Sequence, residues 1–216
     1  MQRLTELALA SSPAGVFTRA EVAAWVRGSA DAEAALVKRA LAAGEVIRIC
    51  RGLYCLGARY RDRPIDSLAI AQRIMGPSYV SLEAALAFHG WLPEAVETVT
   101  SVCDARSRQF QTPIGSFRFD RVPQRKLFAD VSRVPRGDRQ AAFIATPLKA
   151  LADYVSVRRA DWRGVEPLIE SLRLPPECVA EIQPEQCSSL AANYRSQRVR
   201  RFLAGLGREV AGCRSR

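Results

Sequence analysis

A chain of 216 residues exceeds the ~100–150 of a common domain, and two unequal domains are predicted. Apolar residues at 48% and charged residues at 25% exclude a disordered chain, and no apolar run approaches the ~18 residues needed to span a bilayer. The 32 Lys and Arg against 22 Asp and Glu leave a net charge of +10, which favours a polyanion and puts nucleic acid first among partners.

Only Lys38, Lys126 and Lys149 are lysines, an arginine bias that genome base composition also produces. Cys50, Cys55, Cys103, Cys178, Cys187 and Cys213 form no CxxC pair and no Cys/His cluster. Neither a zinc site nor a disulfide framework is expected, and no cofactor or metal is implied. No secretory segment is recognisable from Met1 to Ala10, so reduced cysteines and a cytoplasmic location are expected.

In chain order, Leu4, Leu7 and Leu9 give a short first helix from Gln2 to Ala10, ended by Ser11-Ser12-Pro13. Thr18-Arg19-Ala20-Glu21 is a capping box and starts a second helix, about Arg19 to Arg27. Ser29 caps a third, Ala30 to about Ala43, with Asp31 and Glu33 in its first turn and Gly44 closing it. Val46–Cys50 and Leu53–Leu56 then read as a hairpin turning at Arg51-Gly52. The stretch Arg59, Arg61, Asp62, Arg63, Pro64 marks a boundary, dividing the chain into 1–63 and 64–216.

Beyond it the pattern predicts helices over Ile65–Met75 and Ser81–His89, and a strand over Glu97–Cys103. A hairpin of Gln109–Thr112 with Ser116–Val122 follows, then a strand over Ala141–Ala145 and a helix from Thr146-Pro147 to Val157. Two more helices are expected over Trp162–Leu172 and Cys187–Val210. The fold class is α+β: an N-terminal winged helix-turn-helix, then a larger mixed α+β domain ending in helices.

In such a module a recognition helix enters the major groove and the hairpin wing lies against backbone or minor groove. The expected recognition helix is Ala30–Ala43, bearing Lys38 and Arg39, with Ser29 and the free amides at its start open to a phosphate. Arg48, Arg51 and Gly52 belong to the wing, and Thr18 and Arg19 complete the predicted DNA-contacting set. Asp31 and Glu33 would repel phosphate, so the wing carries the DNA contact better than the helix does. A three-helix unit with a hairpin also serves as a protein-interaction module, and that reading stays open.

For the second domain, His89 is the only histidine, excluding two-histidine metal motifs; its place at a helix end fits a cap or core role better than a general base. Glu83, Glu97 and Asp104 could form a metal-binding carboxylate set, the basis of an alternative nuclease reading, but read more simply as solvated or capping acids. Arg106, Arg108, Arg118, Arg121, Arg125, Lys126, Arg133, Arg136 and Arg139 recur through the hairpin region and suggest a second basic surface or a solvated face. Phe110, Phe117, Phe119 and Phe128 between them are expected on the core side of strands rather than as base-stacking platforms.

Four stretches together resemble the AbiEi family of antitoxins and transcriptional regulators from bacterial (type IV) toxin-antitoxin operons: Arg51-Gly52-Leu53-Tyr54, the run from Tyr79 to Trp91, Val99-Thr100-Ser101, and the run from Thr146 to Asp153. The resemblance extends over most of the chain. It implies a winged-helix domain binding inverted repeats upstream of its own operon, and a C-terminal domain that counteracts a nucleotidyltransferase-like toxin. It implies no catalytic residue. Arg51 and Gly52 carry over as wing residues, and Ser81, Glu83, His89, Lys149 and Asp153 as structural or partner-facing positions. The poorly basic recognition helix departs from the family pattern. The expected protein is therefore a DNA-binding antitoxin and repressor, not an enzyme.

Overall fold

The computed structural model describes residues 1–94, 96–137 and 140–214, with the side chains of 213 and 214 excepted. Arg139 and the Cys213 thiol lie outside the described residues. The N-terminal unit runs α1 (Arg3–Ser11), β1 (Val16–Thr18), α2 (Arg19–Val26), α3 (Ala30–Ala42), β2 (Val46–Cys50) and β3 (Leu53–Leu56). β3 lies between β1 and β2, antiparallel to both. β1, which the sequence pattern does not predict, is three residues long and too short to show a period of two.

Local chemistry sets the helix boundaries. The Thr18 hydroxyl oxygen accepts from the Glu21 amide at 3.2 Å while Glu21 accepts from the Thr18 amide at 2.5 Å, the reciprocal box that the sequence spells. Ser29 caps α3 through the Ala32 amide at 3.3 Å, and Gly44 ends it at φ +65°, a conformation strained for a residue with a Cβ. α1 has no cap of its own: the Glu45 carboxylate reaches back to the Gln2 amide and the Thr5 hydroxyl, both at 2.7 Å. Those bonds hold the Glu45 carboxyl below its ordinary value.

Each face of the three-stranded sheet is buried. Phe17, Val46, Tyr54 and Leu56 close over Leu4, Ala8, Val22, Leu36, Val37 and Ala40 in a small core. Val16, Ile49, Leu53 and Cys55 point the other way and join the large core, with Ile70 and Ala71 of α4 (Ser67–Ile74). This explains why Leu53-Tyr54-Cys55-Leu56 is apolar throughout rather than alternating. Arg73 of α4 ties the units further, pairing with Glu21 at 2.8 Å and donating to the Val16 carbonyl at 3.0 Å.

The second sheet comprises β4 (Ser78–Val80), β5 (Thr98–Cys103), β6 (Arg108–Thr112), β7 (Gly115–Arg121), β8 (Val131–Pro135) and β9 (Ala141–Ala145). Their order is β6-β7-β5-β4-β9-β8, parallel for β5/β7 and β4/β9 and antiparallel elsewhere. α5 (Leu82–Phe88) follows β4 and packs with α6 (Pro147–Arg158), which Thr146 caps. α7 (Glu166–Leu172), α8 (Pro176–Ala180), α9 (Pro184–Ala191) and α10 (Gln197–Arg214) complete the chain. The mixed α+β class holds.

Two expectations are corrected. The helix expected from Trp162 begins only at Glu166, and the single helix expected over Cys187–Val210 is two, α9 and α10, broken at residues 192–196. The break lets Asn193 donate its side-chain amide to Gln124 and the Lys126 carbonyl, while its own carbonyl accepts from the Arg125 amide at 2.9 Å. A continuous helix would keep that carbonyl in its own ladder. Phe117 and Phe119 are fully buried, as expected of core-side residues, whereas Phe128 is 40% exposed and leans on Tyr79 and Phe143.

Candidate nucleic-acid interface

The β2–β3 hairpin, which the sequence reading expects to be a wing, turns at Arg51-Gly52, where Gly52 takes φ +79°. β2 bulges between Arg48 and Cys50, which increases local twist and re-aims the tip. Arg48 and Arg51 are exposed, and Arg48 lies over the Tyr54 ring at 5.8 Å, which restrains its long side chain. Arg19, also exposed, donates its backbone amide to the Gly52 carbonyl at 2.9 Å, so the start of α2 is fastened to the hairpin tip.

On α3, Leu36, Val37 and Ala40 face the small core while Lys38 and Arg39 stand in solvent. Ala30, Ala32 and Ala34 share the exposed side with Asp31, and Ser29 is exposed at the start of the helix. The Thr18 hydroxyl is taken up by Glu21, at 2.7 Å, so Thr18 acts in the cap. Among the described residues, Arg19, Lys38, Arg39 and Arg51 have no carboxylate partner within salt-bridge distance, and neither does Arg48. Unpaired exposed cations keep their charge available for phosphate.

The second-unit residues singled out from the sequence fall into two groups. Ser81, Lys149 and Asp153 are fully buried in the second unit. Asp153 accepts from the hydroxyls of Tyr79 at 2.8 Å, Ser81 at 2.7 Å and Tyr194 at 2.6 Å. Lys149 donates to Gln124 at 2.6 Å and lies over both tyrosine rings, at 5.0 and 5.2 Å. Burial pushes the ammonium below its ordinary value while Asp153 pulls it back up. The Tyr79 and Tyr194 phenols are driven well above theirs, by burial first and Asp153 second.

Tyr79, Gln124, Asn193 and Tyr194 were missed as members of this cluster. The one signal for it is the four-residue spacing of Lys149 and Asp153, which puts both on one side of a helix.

Glu83 and His89 form the second group. Glu83 pairs with Arg158 at 2.5 Å, and His89 caps α5 through its backbone while its Nε2 lies 2.9 Å from the Ala145 carbonyl, which it meets as a donor. Glu83, Glu97 and Asp104 do not converge: among the described residues no group of three or more His, Cys, Asp or Glu is placed to hold a metal ion. The five described cysteine side chains are free thiols, and burial raises Cys187 to about 11. No described helix is long and apolar enough to cross a membrane.

No curated protein matches the chain. The matching family model begins at the first residue of α1 and ends one residue past β3, so it spans the whole N-terminal unit and none of the second. Over residues 3–57 the chain is similar to a family described as transcriptional regulator, AbiEi antitoxin, the same family whose resemblance the sequence carries.

Proposed function

We propose that residues 1–63 form a winged helix-turn-helix that binds inverted repeats in the promoter of this protein's own operon, with α2–α3 as the helix-turn-helix and the β2–β3 hairpin as the wing. The observation that carries the reading is the family match, which falls on the unit where Arg19, Lys38, Arg39, Arg48 and Arg51 stand exposed without acidic partners among the described residues. Phosphate contacts from the wing position the duplex, and α3 supplies the base contacts from Lys38 and Arg39 in its C-terminal half. Residues 64–216 counteract a nucleotidyltransferase-like toxin encoded beside the gene, without catalysis of their own. The protein acts in the cytoplasm.

Two experiments separate these roles. Titration of the full chain against its upstream DNA gives specific binding that weakens steeply with salt; affinity equal to that for a scrambled duplex removes the regulator role. Co-expression with the neighbouring toxin restores growth. Failure of both the full chain and the 64–216 segment to restore it removes the antitoxin role and leaves DNA binding untouched.

A further inference from the structure

A cavity of about 630 Å³ opens where the two units join, at the Asp66 end of α4, whereas the β2–β3 hairpin tip lies at the Met75 end. The end of α1 and the α1–β1 turn line it from the first unit, residues 60–66 from the connection, and Arg136 and Gln140, which flank the β8–β9 turn, from the second. Three guanidinium groups border it and differ in their pairing. Arg136 donates to Asp66 at 2.6 Å and is neutralised there. Arg61 and Arg63 have no carboxylate within salt-bridge distance among the described residues. The Arg61 stem lies against the α1–β1 turn, where a Cβ on Gly15 would stand 3.4 Å from its Cγ. Its Nε is shut off from water and has no hydrogen-bond acceptor among the described residues. A shielded, charged donor left unsatisfied is costly, so the position calls for an acceptor.

We propose that this cavity binds a small organic phosphomonoester, its phosphate held by Arg61 and Arg63 and its body by Leu9, Leu56 and Ile65. The volume falls in the ~300–1,000 Å³ range of small-molecule sites, which combine an apolar lining with a few converging polar groups. A guanidinium offers paired N–H donors that match phosphate oxygens, and the Arg61 Nε–H is a donor still to be taken. Charge selects phosphate over carboxylate: a phosphomonoester carries about −1.5 to −2 at neutral pH and engages both free guanidinium groups, whereas a monocarboxylate leaves one unmatched. Asp62 also lines the cavity. It is exposed, so water and salt screen its charge, and it weighs most against a polyphosphate or a nucleic-acid backbone, whose further charges meet no free arginine there. Leu9, 44% exposed, is an apolar surface that the ligand body covers. An occupant touches both units, and its binding requires nothing of the DNA-binding role.

Thermal unfolding of the full chain at constant ionic strength tests this, with inorganic phosphate, adenosine monophosphate, adenosine and acetate as probes. A ligand that binds only the folded state raises the midpoint by mass action. The midpoint is expected to rise saturably with phosphate and with adenosine monophosphate, the latter at a concentration roughly tenfold or more lower because its body buries apolar surface. Adenosine and acetate leave it unchanged at that concentration. Arg61→Met, which keeps a stem against Gly15, and Arg63→Ala, at an exposed position, should each raise the concentration needed about tenfold or more. Arg208→Ala, exposed on α10, changes nothing. Near-ultraviolet circular dichroism confirms the fold of each variant. A midpoint that responds to neither phosphate nor adenosine monophosphate beyond chloride of equal ionic strength overturns the inference. So does a response that Arg61→Met and Arg63→Ala retain in full, or that Arg208→Ala loses equally, since the phosphate would then act elsewhere or through net charge alone. Adenosine monophosphate no stronger than phosphate, or acetate as strong as either, also overturns it, because the cavity would then hold an adventitious ion only.

Discussion

Cations serve opposite purposes at the wing tip and in the Lys149 cluster. Around the β2–β3 hairpin tip, Arg48, Arg51, Arg106 and Arg108 are exposed and, among the described residues, have no carboxylate within salt-bridge distance, which leaves their charge to an external anion. In the second unit Lys149 is withdrawn from water and balanced by Asp153, Gln124 and two tyrosine rings. A buried charge must be satisfied from within and therefore fixes structure; an exposed, unpaired one leaves its energy for a partner. The two groups should respond to substitution in separable ways.

The largest effect is expected at Asp153. Asp153→Ala strands three hydroxyls and the Lys149 ammonium in the interior, costing about 3–5 kcal/mol. Urea denaturation measures it, and the folded fraction should keep its DNA affinity. A loss below ~1 kcal/mol would break the comparison by making the cluster dispensable.

The wing comes next. Arg48→Ala with Arg51→Ala should leave the stability in urea within ~0.5 kcal/mol of wild type, because both side chains are exposed, while weakening DNA binding roughly tenfold or more at physiological salt. A fall in stability without a fall in affinity would reverse the roles given to the two regions.

A third effect appears in alkali. The folded pKa values of Tyr79 and Tyr194 lie above the unfolded value near 10, so their contribution is fully present below that pH and is lost as pH rises past it. Lys149 opposes this, since its folded value is lowered and its protonated form carries a burial cost that fades as pH rises. Two phenols against one ammonium give a net loss of stability above pH ~10. Tyr79→Phe with Tyr194→Phe should flatten that limb; an equally steep fall in the double variant would contradict the assignment.

The smallest effect concerns Glu45, whose lowered carboxyl pKa means that its contribution is present above the ordinary value of 4.5 and lost as pH falls through the folded one. Glu45→Gln should lower the melting temperature of the N-terminal unit slightly at neutral pH and diminish its acid sensitivity. Thermal unfolding from neutral pH down through the carboxylate range would show it, and an unchanged acid limb would count against the cap on α1.

Legibility followed the range of the interactions. The α2 capping box, the Ser29 cap, Gly44 and the Arg51-Gly52 turn are local devices, and each stands where the residues put it. β1 and β4 are three residues each and are created by pairing with distant strands, which no local pattern encodes. β8 alternates weakly and ends in Pro135, as an edge strand can. The break between α9 and α10 exists for Gln124 and Asp153, 69 and 41 residues away from their partners Asn193 and Tyr194. For the same reason the interior role of Lys149 and Asp153 became visible only once Tyr79 and Tyr194 closed around them. Among the predicted DNA-contacting residues, the wing arginines were readable as turn-tip cations, whereas their nearness to Arg106 and Arg108 depends on how the two units pack.

As a specific DNA-binding regulator, the role proposed for the N-terminal unit, the chain must tell its own promoter from other DNA. Anisotropy titration of the full chain against its own upstream duplex and a scrambled duplex of equal length, at physiological salt, tests it most directly. A preference of at least ~10³ for the upstream sequence is expected, with affinity falling steeply as salt rises. Equal affinity for the two duplexes would contradict it.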